Sequence, residues 1–340
     1  MSESIYEVIP EERRAVAREA LAAAFGAART TSIQPITQGG SGALIYRVES
    51  NGKPYLLRIE RRRDGFDDGG RGYACMRTAA EAGIAPPLIA ADSASGVAIM
   101  EFRQPQSLFD YPSGRERLMR DLGALVARLQ ATPAFPAVGD YRAILTGMLD
   151  TLIASGRFES GLLDEHRAAL ARLTDAYSWD ETKTVSSHND LNPGNIIFDG
   201  EHLWLVDWEL AFRNDAFIDI ANLANYFAPT DELRDALLRS WLGREPDRFV
   251  RARLVLARQL VRIGYACLTL IATAGEPRTV PDGDLRAPSL AEFHQMLVRG
   301  QLRMGSPENM YLYGKVYLNE FLAHLSKPEF EEAFAIGREE

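Results

Sequence analysis

Residues 188–195 read HNDLNPGN, and the fold class turns on what this short stretch is for. Pro193-Gly194 forbids a regular helix, and the apolar run Ile196-Ile197-Phe198 straight after it has the composition of a short strand. On the loop so defined, a carboxylate (Asp190) and an amide (Asn195) stand five residues apart. This matches the spacing His-x-Asp-Leu-x-x-x-Asn of a catalytic loop for phosphoryl transfer. In that chemistry the carboxylate accepts the proton of an attacking hydroxyl and the amide oxygen binds a magnesium ion. Aspartate, with an ordinary pKa near 4, is a weak base. It suits a reaction whose loose transition state makes positioning more decisive than basicity. The alternative is an Asn-Pro-Gly turn with incidental polar residues, and the flanking sequence decides between the two.

Downstream, Val206-Asp207-Trp208-Glu209 ends another short apolar run, and Asp207 lies twelve residues beyond Asn195. The turn signal Asp199-Gly200 makes the segment between them a hairpin. An acidic side chain at its end would complete a hard oxygen-ligand site with Asn195, and magnesium needs only one or two protein carboxylates. Upstream, Gly39-Gly40-Ser41-Gly42 joins two strand-like segments, and glycines there let backbone N–H groups approach a phosphate closely. It is not a P-loop, because no Gly-Lys-Ser/Thr opens a helix. A plain flexible hairpin is the competing reading of those glycines.

The organisation agrees with a two-part molecule. The first part reads as a helix over 10–25, strands over 33–37, 44–49 and 54–59, a helix through Met76 ending at Gly83, and strands over 88–91 and 97–102. Asn51-Gly52 is the hairpin turn between the second and third strands. Helical patterning then dominates. Ser113 is the expected cap of a helix carrying Leu118, Leu122, Val126 and Leu129 on one face. Further helices are predicted over 141–155, 162–177, 217–226, 231–242, 249–273, 289–303 and 308–325. One small sheet over 184–187, 195–198 and 203–206 interrupts them. The division is an N-terminal lobe, 1–102, and a helical C-terminal lobe, 103–340, with the catalytic loop and acceptor site.

Composition bounds the partners. The 46% hydrophobic and 25% charged content is that of a globular protein, and a net charge of −9 argues against non-specific nucleic-acid binding. Cys75 and Cys267 show no CxxC pattern and no nearby histidine cluster, so reduced thiols are expected. The start MSESIYEVIPEERRAV carries charge where an export signal needs an apolar core. The apolar run near 263–274 is too short for a bilayer. A soluble cytoplasmic protein is the expectation, with no membrane and no nucleic-acid partner.

These residues resemble the aminoglycoside phosphotransferase and choline/ethanolamine kinase superfamily. HNDLNPGNIIFDGEHLWLVDWELAFRNDAFIDIANL (188–223) is similar to its continuous signature, and QGGSGALIYRV, YLLRIE, AAEAGIAPPLIAAD and VAIMEF extend the likeness upstream. The resemblance covers roughly 33–226. It implies an α+β, bilobal, protein-kinase-like fold with a small antiparallel-sheet N-lobe and a mostly helical C-lobe. It implies ATP and Mg²⁺ as cofactors, Asp190 as catalytic base, Asn195 and Asp207 as metal ligands, and His188 and Asp219 as supports of the loop. Gly39, Gly40, Ser41 and Gly42 would cover the nucleotide, and Glu101 and Phe102 would offer backbone groups to adenine. Arg58 falls where such kinases keep a phosphate-binding base, and arginine there resembles the choline-kinase branch. Arginine brings a fork of donors where lysine brings a point charge.

One departure stands out. The helix after the Arg58 strand should carry a glutamate near its start, yet Gly72-Tyr73-Ala74-Cys75-Met76 has none, and Glu81 comes too late. Asp67 or Asp68 is a substitute, and otherwise Arg58 is unpaired. For the acceptor, Glu209, Asp215 and Asp219 suggest an acidic wall. Tyr226, Trp241, Tyr265, Tyr311, Tyr313 and Tyr317 are candidate aromatics for a cation, each also readable as helical core. The expected activity is transfer of the ATP γ-phosphate to a hydroxyl of a small molecule. An amino alcohol such as choline or an aminoglycoside-like cation is favoured over a sugar or hydroxy amino acid, and a kinase-fold binding protein is the rival. A protein kinase is disfavoured, because only eleven residues separate Asp207 from Asp219 and leave no activation segment.

Overall fold

The computed structural model describes residues 3–26, 29–36, 43–60, 70–273 and 280–337. The chain forms two compact units, Met1–Ala137 with Val185–Arg213, and Val138–Thr184 with Asn214–Glu340. This is a different division from lobes cut at residue 102, because the segment with the catalytic loop folds with the first unit.

In the first unit, α1 (Glu11–Phe25) precedes five strands: β1 (Thr30–Pro35), β2 (Ala43–Ser50), β3 (Lys53–Glu60), β4 (Leu88–Asp92) and β5 (Val97–Glu101). They form one antiparallel sheet in the order β1-β2-β3-β5-β4. Asn51 and Gly52 both have left-handed backbones, φ 53° and 72°, as the two-residue turn between β2 and β3 requires. Alternation places Ile33, Tyr46, Val48, Leu57, Ile59, Val97 and Ile99 in one core with Ala17 and Leu21 of α1. The same alternation puts Arg58 on the opposite face from Leu57 and Ile59, together with Glu60.

Between β3 and β4 runs α2 (Arg71–Glu81), which buries Tyr73, Cys75, Met76 and Ala79. The stripe Leu118, Leu122, Val126 and Leu129 is buried on α3 (Gly114–Gln130) as expected. Ser113 occupies the N-cap position but makes no capping bond through its side chain. Its own backbone is left-handed, φ 63°, which is not the extended geometry a capping serine uses. The single three-stranded sheet expected around the catalytic loop is instead two pairs. β7 (Ile196–Phe198) pairs with β8 (Leu203–Leu205), and β6 (Val185–Ser187) pairs with β9 (Phe212–Asn214). β9 is too short to show a period of its own, so nothing in its sequence announced it.

The second unit is helical: α4 (Tyr141–Ala154), α5 (Asp164–Ala176), α6 (Phe217–Phe227), α7 (Asp231–Leu242), α8 (Arg248–Ala272), α9 (Leu290–Val298), α10 (Pro307–Leu325) and α11 (Pro328–Gly337). Side-chain caps start α4, α7, α8, α9 and α10, from Asp140, Thr230, Asp247, Ser289 and Ser306. α9 stops short of the predicted 303, and α11 was not predicted. α8 is the central helix, packed by α4, α6, α10 and α11. Gly314 of α10 lets that helix close on Leu270, because a Cβ there would collide with the leucine. By length and composition α8 could cross a membrane, contrary to the expectation that no segment is long enough, yet 78% of its most apolar stretch is buried inside the fold. Cys75 and Cys267 are both buried and neither forms a disulfide.

Candidate active site

The catalytic-loop residues and the hairpin behind them belong wholly to the first unit. The loop leaves β6 at His188, turns through Asn189 (φ 64°), and enters a 3-10 turn at Pro193–Asn195. Asn189 tolerates this left-handed backbone better than most residues, and its amide donates to the Leu210 carbonyl at 2.9 Å. Asn192 holds the bend, with its oxygen accepting from Gly194 N at 2.8 Å and its nitrogen donating to Asp190 Oδ1 at 2.9 Å. Asn195 Nδ2 donates to Asp190 Oδ2 and to the Asp190 carbonyl, both at 2.9 Å. Both carboxylate oxygens of Asp190 therefore accept bonds that fix its rotamer. The Asn195 amide is committed through its nitrogen, which leaves the oxygen as the end able to face a cation.

His188 is fully buried, lies against the Trp208 ring (centroids 4.6 Å apart), and is bonded through Nε2 to the Val206 carbonyl at 2.9 Å. It ties the loop to the segment after β8 that leads into Asp207. Burial holds its imidazole down at about 4, so the ring is neutral at physiological pH and Nε2 is the donor. The native state thus binds fewer protons than the unfolded chain between pH 4 and the ordinary histidine value near 6.5. Stability is present in full above that window and is lost as pH falls through it, by up to about 3 kcal/mol. Denaturant melts at stepped pH check this. The acid-side slope of the native protein should flatten in His188→Gln.

The β7–β8 hairpin carries Asn195 to Asp207, with Val206 N donating to the Asn195 carbonyl at 3.0 Å. Asp207 has a left-handed backbone, φ 66°. Its Oδ1 is buried and has no hydrogen-bond partner among the described residues. Burial raises its carboxyl above the ordinary carboxylate range, and the Arg58 charge opposes this. A desolvated carboxylate oxygen left unbonded is costly in a fold. Such a donor fits the chemistry of a cation ligand. Asn195 oxygen and Asp207 carboxylate are hard donors suited to Mg²⁺, which takes its remaining ligands from phosphates and water. No group of three or more His, Cys, Asp or Glu side chains gathers as a metal site among the described residues, and this sparse pair does not need one.

Arg58 is 6% exposed, and it is not unpaired. Its Nη2 donates to Glu209, and its Nη1 lies 3.4 Å from both Glu60 Oε1 and the Tyr73 hydroxyl. Burial opposes the charge, but Glu209, Tyr73, Asp207 and Glu60 outweigh it and raise the guanidinium pKa. The acidic partner therefore comes from the segment just after Asp207. The carboxylate of Glu209, a residue expected at the acceptor, is engaged by Arg58, because β3 places that cation within reach. Glu81 ends α2, exposed, and Asp67 and Asp68 lie outside the described residues, as do Gly39, Gly40, Ser41 and Gly42.

Two residues without a sequence-stated role prove structural to the site. Arg71, at the start of α2, donates to the Glu209 carbonyl at 2.9 Å and the Ala211 carbonyl at 3.0 Å. Tyr73, where a helix acid was sought, reaches Arg58 instead. Glu101 and Phe102 both lie at the end of β5, but their N–H groups already donate to the Pro87 and Pro54 carbonyls, at 2.9 and 3.4 Å. Only their carbonyls are left to offer a base.

Within the second unit, Asp215 accepts from Tyr177 Oη at 2.8 Å and Arg253 Nη2 at 2.6 Å, and Asp219 is fully buried on α6. Asp215 and Asp219 both lie near Tyr141. Tyr226, Tyr265, Tyr313 and Tyr317 do gather: Tyr265 stacks on Tyr317 at 5.6 Å, and a hydroxyl chain runs from Tyr313 through Tyr317 to Tyr226. Trp241 packs on Phe217 and Tyr311 on Phe158, outside this group.

The sequence profile of the phosphotransferase enzyme family matches residues 32–254, a span that includes Arg58, the catalytic loop, Asp207 and Glu209. The chain belongs to the phosphotransferase enzyme family. Its fold is the bilobal α+β fold of kinase-like members. A choline/ethanolamine kinase family protein from Mesorhizobium loti superposes with a TM-score of 0.67, covering 96% of this chain and 100% of that one at 21% identity. A spectinomycin phosphotransferase, solved with ADP and spectinomycin, gives 0.57 over 90% or more of both chains (94% and 97%) at 16% identity. Among curated sequences, Protein LicA of Haemophilus influenzae is 26% identical over 84 residues, 25% of this chain and 31% of its own length. The chain spans 15 to 31% of the curated relatives it matches.

Proposed function

We propose that this phosphotransferase-family chain moves the γ-phosphate of ATP, with Mg²⁺, to a hydroxyl of a small molecule. The observation that carries the reading is the convergence, in one unit, of an oriented Asp190, the oxygen of Asn195, the desolvated Asp207 and the buried Arg58. Asp190 takes the proton as the acceptor oxygen bonds to the γ-phosphorus and the bond to the ADP oxygen breaks. Arg58 offers its remaining N–H groups to the nucleotide phosphates, where a fork of donors suits paired oxygens. Asn195 and Asp207 would hold the magnesium ion, which neutralises charge on the phosphate oxygens when bound. The rival reading of a kinase-fold binding protein rested on the absent helix glutamate, and the Glu209–Arg58 pair counts against it.

A cationic amino alcohol is the favoured acceptor. The likeness to the choline/ethanolamine kinase family protein supports it. The test is ADP release from Mg-ATP against choline, ethanolamine, aminoglycosides, simple sugars and hydroxy amino acids. Acceptor-dependent release with choline or ethanolamine is expected. Release with sugars alone would overturn the cationic acceptor. Silence across the panel together with no thermal stabilisation by Mg-ATP would overturn the enzyme.

A further inference from the structure

Resting on the phosphotransferase reading, we propose that Glu209 is the positioning residue for Arg58, in the place that this fold ordinarily gives a helix carboxylate. The helix itself contributes a hydroxyl (Tyr73) and a staple (Arg71) instead of a carboxylate. Three observations carry this. First, Arg58 stands almost wholly out of water, where a cation needs paired and hydrogen-bonded partners to be tolerable. Glu209 closes on its Nη2, while Glu60 and Tyr73 share Nη1 at the longer distance of 3.4 Å. Second, α2 has no acidic residue in its first turn, and the side chain it sends to Arg58 is Tyr73. Third, the backbone that presents Glu209 is fixed from α2. Arg71 donates to the carbonyls of residues 209 and 211, and the Cys75 thiol lies 3.6 Å from the Ala211 carbonyl.

The consequence is mechanical. Glu209 follows Asp207 by two residues, so the metal ligand and the partner of the phosphate-binding base ride on one short segment. Arg58 is then aimed only when the Asp207 segment is seated against α2. A carboxylate on the helix would report the helix position alone, whereas this arrangement couples the base, the helix start and the metal ligand.

The test is MgADP binding by calorimetry, which needs no acceptor, on the native chain, Glu209→Gln, Arg58→Gln and the double variant. Glu209→Gln should bind MgADP roughly tenfold more weakly, and the double variant no more weakly than Arg58→Gln. Tyr73→Phe should lose less, about threefold. Glu209→Asp, which keeps the charge on a shorter arm, should recover part of the loss and also serves if Glu209→Gln does not fold. With an acceptor in hand, the KM for Mg-ATP should rise and the acceptor KM stay native.

Native MgADP affinity in Glu209→Gln, with only the acceptor KM changed, would overturn the proposal in favour of an acceptor contact. An undiminished loss on the Arg58→Gln background would overturn it in favour of direct metal binding. Failure of the native chain to bind MgADP would sink the phosphotransferase reading itself, and the proposal with it.

Discussion

Asp207→Ala should lower Mg-ATP turnover by about a thousandfold or more, about 4 kcal/mol of lost transition-state stabilisation, without unfolding the protein. The stability side follows from the unbonded Oδ1. A buried oxygen with no partner among the described residues weakens the ligand-free fold, so removing it should leave that fold as stable or more stable. Alanine loses part of this gain to the left-handed backbone at 207, where asparagine is better tolerated. Asp207→Asn, which removes the desolvated charge and tolerates this backbone, is the variant whose ligand-free melting temperature should rise. The pH dependence has a definite sign. The folded carboxyl has a raised pKa, so the native state holds a proton that the unfolded chain has already released above its ordinary value near 4. Stability therefore declines as pH rises through the folded value, opposite in sense to the His188 effect. The difference between native and Asp207→Asn melts, taken in chelator from pH 4 to 7, isolates it. Full magnesium-dependent turnover in Asp207→Ala would remove Asp207 from the metal site.

What could be read from the sequence was what lies close together along the chain. Asp190 to Asn195 is one loop and Asn195 to Asp207 one hairpin, so spacing alone fixed their roles as candidates. The β2–β3 turn was legible because Asn51-Gly52 has a local backbone requirement. The partner of Arg58 was not, because Glu209 lies 151 residues away and only the docking of α2 on residues 209–211 brings the two together. On α2 the residue that reaches Arg58 is Tyr73, a hydroxyl where an acid was expected. β9 failed for a similar reason, since three residues carry no period and its pairing with β6 is non-local. The tyrosines show the opposite limit. Helical spacing cannot separate core from site, and Tyr311 and Trp241 went elsewhere while four others gathered.

Asp190→Ala should reduce kcat by roughly a hundred- to ten-thousandfold, the range for losing a positioned proton acceptor, with nucleotide affinity unchanged. The asparagine variant, usually taken as the gentler change, should do more. In the native loop both oxygens of Asp190 accept from amide nitrogens, Asn192 on one side and Asn195 on the other. An amide at 190 would set a new NH₂ group against one of them, donor to donor. If it faces Asn195, that side chain must turn its oxygen inward to accept, and its oxygen is the end required by the metal. With alanine, Asn195 keeps its 2.9 Å bond to the main-chain carbonyl of residue 190 and its oxygen stays outward. Both variants should therefore lose turnover, but only Asp190→Asn should also need more magnesium to bind ADP. Calorimetric titration of ADP at graded magnesium separates the two. Equal magnesium requirements in both would mean that the Asp190 carboxylate does not set the orientation of Asn195. Native turnover in either would remove Asp190 as the proton acceptor.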